Sequence, residues 1–261
     1  MPHLPLHGRV VVITGASRRI GIGAALARRA VADGAAVLLH SWSPHDAEQP
    51  WGEDVGGVDA LVRELRDAGG RVEHVSRDLA DPAAPSDVVA AAREAFGHVD
   101  ALVANHARSG SQDLEHLTAE DLDLTAAVNV RGTLLMVQAF AAQHDDARDG
   151  GRIVLFTSGQ YHGGMPGELP YVASKAALQG LTKSLAVHLA PRRITVNCLD
   201  PGPTDTGYAD ADAHAAVAAA NPGGRWGEPA DTSRLVAWLL SDESAWVTGQ
   251  TIASDGGWSS R

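Results

Sequence analysis

Val10-Val11-Val12-Ile13-Thr14-Gly15-Ala16-Ser17-Arg18-Arg19-Ile20-Gly21-Ile22-Gly23 is the stretch on which the fold turns. The apolar run at 10–13 reads as a buried strand, and residues 23–33 read as a helix that ends near Gly34. The turn between them is rich in glycine. Glycine lets the backbone approach a bound group closely. The helix start beyond it offers amide donors and a positive dipole end, a combination that suits a pyrophosphate.

Outward from this turn the same alternation continues. A second strand is expected at 36–40, with others at 71–75, 101–104, 153–157, 194–199 and 251–253. Helix-like stretches fall between them at 60–68, 84–96, 119–144 and 174–189. The prediction is an α/β fold: a single-domain, doubly wound parallel sheet of Rossmann type, with helices on both faces. In such a sheet the ligand sits at the carboxyl ends of the strands, near the point where strand order reverses. No repeat or linker divides residues 1–261, so one domain is expected. Two stretches read as irregular. One is 41–57, with Pro44, Pro50 and three glycines. The other is 204–229, rich in Ala, Asp and Gly, and expected to be a lid over the substrate or else a surface excursion.

Composition narrows the function. The chain has 261 residues, 21 Lys plus Arg against 32 Asp plus Glu, and a formal charge of −11. Such a surface argues against nucleic-acid or anionic-membrane partners, while leaving room for a local basic pocket. The lone Cys198 allows no intrachain disulfide and reads as buried packing; the 12 histidines show no metal-ligand spacing, so no metal is expected. The first nine residues lack the apolar core of a secretory signal, and no run of about 18 apolar residues is present to span a bilayer. A cytoplasmic location is expected.

Tyr171-Val172-Ala173-Ser174-Lys175 carries the chemical signal. Residues four apart share a helix face, so Lys175 can sit beside Tyr171. A free tyrosine titrates near pH 10, too high for a base at neutral pH. A neighbouring ammonium lowers that value. Tyr171 is then a candidate proton donor or acceptor at an alcohol or carbonyl oxygen. Ser158, thirteen residues earlier at the end of the fifth strand, is a candidate donor to the same oxygen. By itself each feature also fits an ordinary amphipathic helix or a strand-end turn.

Together these motifs resemble the short-chain dehydrogenase/reductase family, in particular members like 3-oxoacyl-[acyl-carrier-protein] reductase. The glycine turn is similar to the family's Thr-Gly-x-x-x-Gly-x-Gly, with two extra residues after Gly15. Eleven residues separate Gly23 from Gly34, the family's usual interval, so Gly21 and Gly23 match the last two glycines and the insertion falls at Arg18 and Arg19. The resemblance runs from about residue 8 to 258 and implies a nicotinamide cofactor held by Gly15, Ser17, Gly21, Ile22 and Gly23. Enzymes that prefer NAD commonly carry Asp or Glu at the end of the second strand. Here Ser41 stands there, followed by Trp42, and Arg18 and Arg19 could pair with a 2′-phosphate. NADP(H) is therefore expected over NAD(H); the alternative is two solvated arginines.

The resemblance also implies that Asp78 and Leu79 lie against the adenine. Ala104-Asn105-His106-Ala107 stands where the family has Asn-Asn-Ala-Gly, keeping only Asn105. His106 either faces the nicotinamide ribose or substrate, or is structural. Asn129 would hold a water in a proton relay to Lys175. Pro201 and Gly202 would cover the nicotinamide, with Thr204 and Thr206 on its carboxamide or the pyrophosphate. Gln160, Tyr161 and His162 are candidate substrate contacts, under the 207–225 segment. The implied activity is interconversion of a ketone and a secondary alcohol, on a 3-oxoacyl or secondary-metabolite carbonyl. Arg225 is the only cation within 204–229 to receive a carrier's phosphate, which weakens a carrier-bound substrate. The alternatives are a nucleotide-sensing protein without turnover and a related dehydratase or epimerase. A homotetramer or homodimer pairing helices 119–144 and 174–189 is implied as well.

Overall fold

The computed structural model describes residues 4–148 and 150–260. Seven parallel strands form one sheet in the order β3-β2-β1-β4-β5-β6-β7. They are β1 (Val10–Thr14), β2 (Ala36–Ser41), β3 (Val72–Ser76), β4 (Ala101–Ala104), β5 (Arg152–Phe156), β6 (Thr195–Asp200) and β7 (Thr251–Ala253). Strands β1, β2, β4, β5 and β6 are buried along their whole length, which is why each reads as a short continuous apolar run. Side chains alternate between faces. Val11, Ile13, Val37, Leu39 and Val103 join one core, closed by Leu26 of helix α1 (Ile22–Ala32) and Val236 of the last long helix. Val10, Val12, Leu38, Leu102 and Ile153 join the other.

The remaining helices are α2 (Ser43–Ala47), α3 (Gly57–Asp67), α4 (Ala84–Phe96), α5 (Ala119–Thr125), α6 (Thr133–Gln143), α7 (Leu169–Leu189), α8 (Ala211–Ala220) and α9 (Pro229–Leu240). Helix α4 and strands β4 and β7 begin and end at the expected residues; most other boundaries move by a few positions. Three differences matter. The expected single helix over 119–144 is broken by a π-helical segment, Ala126–Gly132, between α5 and α6. Two anchors hold the widened turn. The Asn129 side chain reaches out of it, and Gly132 packs so close to Leu79 that a Cβ there would meet the Leu79 carbonyl oxygen at 3.2 Å. The 41–57 stretch contains α2, and the 204–229 stretch contains α8. Residues 119–143 are long and apolar enough by composition to cross a membrane. In the fold they are partly buried: α6 packs on α4, and the π-helical segment packs on α7.

Strand order reverses between β1 and β4. The glycine turn after β1 and the Asn105 loop after β4 therefore flank one crevice, and β5 with α7 lies immediately beside it.

Candidate active site

Tyr171 lies in the first turn of α7, after Pro170, whose fixed φ suits a helix start. Lys175 follows one turn later and is 2% exposed. Its Nζ donates to the Phe156 carbonyl at 3.1 Å and stands 5.5 Å from the Tyr171 ring centroid. Ser158 sits two residues beyond β5, with its hydroxyl against the Tyr171 phenol. Thr157 is occupied elsewhere: its hydroxyl donates to the Lys175 carbonyl at 3.1 Å, binding strand to helix. Gln160 folds back, accepting the Ser158 amide at 3.1 Å and donating to the Thr157 hydroxyl at 2.9 Å. It braces the serine.

Burial changes the expected electrostatics. It pushes Tyr171 up to about 12, against the opposing pull of the Ser158 hydroxyl, and brings Lys175 down to about 8. In the chain by itself the loss of water sets the direction of the phenol's shift. At neutral pH Tyr171 is a protonated acid and Lys175 a cation.

The crevice between β1 and β4 opens into a cavity of about 360 Å³. Gly15, Ser17, Arg18, Gly21 and Ile22 line it, with Trp42, Asp78, Leu79, Asn105 and Thr206. Helix α1 starts at Gly21 with no side-chain cap, leaving its amides open. A Cβ on Gly23 would meet the Gly15 carbonyl oxygen at 2.3 Å, and one on Gly15 would meet His106 Cα at 2.7 Å. Asn105 Nδ2 pins the turn by donating to the Thr14 and Gly15 carbonyls at 3.1 and 3.0 Å. An uncapped helix start behind a tight glycine turn fits a dinucleotide pyrophosphate.

The sequence model of the family described as enoyl-(acyl carrier protein) reductase matches residues 15–259. A solved short-chain dehydrogenase/reductase from Serratia marcescens is 34% identical, with a TM-score of 0.84, covering 98% of this chain and 99% of its own. This chain belongs to the short-chain dehydrogenase/reductase family. A blue fluorescent protein from a metagenomic library, solved in complex with NADPH, is 36% identical with a TM-score of 0.85 over 97% of this chain and 99% of its own. LugOII, described as a promiscuous reductase catalysing keto-reduction in lugdunomycin biosynthesis, is 33% identical with a TM-score of 0.85 over the same shares.

In this short-chain dehydrogenase/reductase several expected site residues serve the scaffold. Ser41 is 1% exposed and its Oγ lies 2.8 Å from His74 Nε2. Strand alternation turns it away from the crevice. Arg19 forms a two-point ion pair with Asp54 and donates to the Val55 carbonyl, fastening the 41–57 stretch to the glycine turn. Arg18 lines the cavity, its guanidinium 5.3 Å over the Trp51 ring. His106 is tied in by both nitrogens: Nδ1 is 2.7 Å from Thr14 Oγ1, and Nε2 is 3.2 Å from the Val128 carbonyl. Burial pushes it down to about 3, so the ring is neutral, and it lines the cavity beside Asn105.

Asn129 is fully buried. Its Oδ1 accepts the Arg108 amide at 2.7 Å; its Nδ2 donates to the Arg108 carbonyl and the Ser174 hydroxyl, each at 2.9 Å. The side chain locks the π-helical segment to α7. Thr204 turns its hydroxyl onto the Pro201 and Gly202 carbonyls, whereas Thr206 reaches the cavity. Gly202 has a φ of +59°, and a Cβ there would stand 2.4 Å from Asp255 Cβ. Cys198 is buried, its thiol pushed up to about 11.

Other residues escaped the sequence. Asp46 and Glu48 line the cavity on the α2 side, with His45, and Arg108 lines it after β4. Asp200, 1% exposed at the end of β6, stands 3.3 Å from His162 Nε2, and burial pushes its carboxyl up. Nothing local marks Asp200 as functional; its partner is nearly forty residues away.

The buried lysine has a consequence for stability. Its folded value lies near 8, against about 10.4 for an unfolded lysine, so the unfolded chain binds more protons between these limits. The Lys175 contribution to stability therefore rises from pH 8 to pH 10 and is flat below 8. The difference in urea midpoint between the wild type and Lys175→Met should grow across that window; a constant difference refutes it.

Proposed function

We propose that the protein reduces a ketone to a secondary alcohol, with NADPH as the hydride donor. One observation carries this reading: the Tyr171 phenol lies against the Ser158 hydroxyl with the Lys175 ammonium beside its ring, so two hydroxyl donors meet at one point. That arrangement is built to give a proton. The Ser158 and Tyr171 hydroxyls donate to the carbonyl oxygen and favour the charge that develops there. A bound reduced nicotinamide supplies the hydride to the carbonyl carbon. As the carbon–hydrogen bond forms, the Tyr171 proton passes to the oxygen and closes the alcohol. Lys175, held by the Phe156 carbonyl, supports the phenolate that remains until a solvent proton replaces the one given up. The keto-reduction described for LugOII supports this direction.

A panel of ketones, followed through the loss of reduced-nicotinamide absorbance, tests the assignment. Turnover of none of them, with NADPH bound, would overturn it.

The preference for NADPH rests on Arg18, the cavity-facing arginine, and on the metagenomic relative solved with NADPH. A guanidinium bonded to a phosphate contributes about 1.5–3 kcal/mol, so Arg18→Ala should raise the NADPH Kd by about tenfold or more while hardly changing that of NADH. Asp46 and Glu48 in the same cavity oppose a second phosphate. Asp46→Asn should therefore widen the preference for NADPH. Fluorescence titration checks both; tighter binding of NADH by the wild type refutes the preference.

A further inference from the structure

A second cavity, of about 460 Å³, begins at Ser158 and is the space into which a reacting ketone must fit. Its walls are aromatic: Tyr208, Trp226 and Trp258, with Met165 and Val217 completing the apolar surface. The aromatic wall is fixed in place. Trp226 is 5% exposed, and its indole N–H donates to the His214 carbonyl at 2.7 Å. Its ring stacks on His214 with centroids 5.1 Å apart and an interplanar angle of 12°, and Tyr208 meets it edge-on at 5.8 Å. Helix α8, which carries His214, thus fixes the indole in the wall of the Ser158 cavity.

One polar side chain on the cavity wall stands beside a buried carboxyl group. His162 lines the cavity, and its Nε2 lies 3.3 Å from Asp200 Oδ2. Asp200 is itself placed by accepting the Gly202 amide at 2.9 Å. Tyr161 packs against the imidazole with centroids 3.7 Å apart. A neutral imidazole carries one N–H donor and one acceptor nitrogen, so His162 can take a hydrogen bond from the cavity side. An acceptor recognises a hydroxyl. A carrier-bound acyl chain finds little here: the walls are flat rings, and Arg225, the one cation of the 204–229 stretch, is bonded to Asp231 and to the Trp226 carbonyl.

We propose that the substrate is a planar, ring-fused aromatic ketone bearing a ring hydroxyl, with the rings against Trp226 and Trp258 and the hydroxyl donated to His162. This rests on the ketone-reductase reading above and names its substrate class.

The test compares unsubstituted tetralone, tetralones differing only in the position of a ring hydroxyl, and the aliphatic ketone octanone. Binding to the protein with NADP⁺ is read by quenching of tryptophan fluorescence, which needs no turnover, and NADPH oxidation is read separately. At least one hydroxytetralone should bind about tenfold more tightly than tetralone, and tetralone more tightly than octanone. His162→Phe keeps a ring but no acceptor and should erase the hydroxyl advantage while leaving tetralone ahead of octanone. His162→Gln restores an acceptor and should recover part of it. Circular dichroism and NADPH binding establish that each variant is folded, and the wild-type series decides the matter if neither is. Equal binding of hydroxylated and plain tetralones, or tighter binding of octanone, overturns the proposal even if ketones are reduced. Binding in the expected order without NADPH oxidation leaves it standing and overturns the reductase reading instead.

Discussion

Tyr171→Phe should lower kcat for ketone reduction by at least about a hundredfold, the lower range for loss of a positioned acid. The substitution deletes one oxygen and keeps the ring. The α7 helix start and the contact with Lys175 are preserved, because Nζ is held by the Phe156 carbonyl rather than by the phenol. NADPH affinity should therefore stay close to that of the wild type. Ser158 still polarises the carbonyl, so a residual rate remains. That rate should lose the alkaline dependence that deprotonation of the acid imposes on the wild type. Stopped-flow turnover and a fluorescence titration with NADPH give both quantities. Turnover within a few-fold of the wild type would remove Tyr171 from the chemistry and, with it, the mechanism.

Gly23→Ala should damage fold and cofactor binding together. The added Cβ would sit 2.3 Å from the Gly15 carbonyl oxygen and 3.0 Å from Ala16 Cα, both backbone atoms that no rotamer change can move. Helix α1 must shift away from the glycine turn, breaking contact in a core where Ala24, Leu26 and Ala27 are buried. Overpacking of this kind costs about 1–3 kcal/mol. For a chain of this size each kcal/mol lowers Tm by about 2–4 °C. The same shift moves the open amides of the helix start, so NADPH affinity should fall more than stability does. Thermal melts with and without NADPH separate the two effects. An unchanged Tm together with unchanged NADPH affinity would show that the turn does not pack as described.

Part of the candidate site is legible in the sequence. The Tyr171–Lys175 spacing and the position of Ser158 at a strand end are local features, and the α/β order of elements carried them to one place. The reading of Arg18 and Arg19 as a pair was not equal to the structure. Asp54, in an irregular stretch 35 residues on, takes Arg19 and leaves Arg18 in the cavity. Ser41 fell at the expected strand end, but the strand's twofold alternation directs its hydroxyl to His74. Periodicity over 119–144 showed a helix and could not show the π-helical segment at Asn129, because the cause is a hydrogen bond to the backbone of Arg108 in another loop.

The sequence by itself determined the strands, part of the helices that cover the sheet, the glycine turn and the placing of Tyr171 and Lys175 on one helix face, since each rests on backbone sterics and side-chain spacing within a few residues. The tertiary structure alone decided which groups meet. It set the Ser158 hydroxyl against the Tyr171 phenol, Asp200 beside His162, and Trp226 and Trp258 onto the cavity of Ser158. Those contacts depend on the order of strands in the sheet and on the loss of water at their ends, and neither is written in any local pattern.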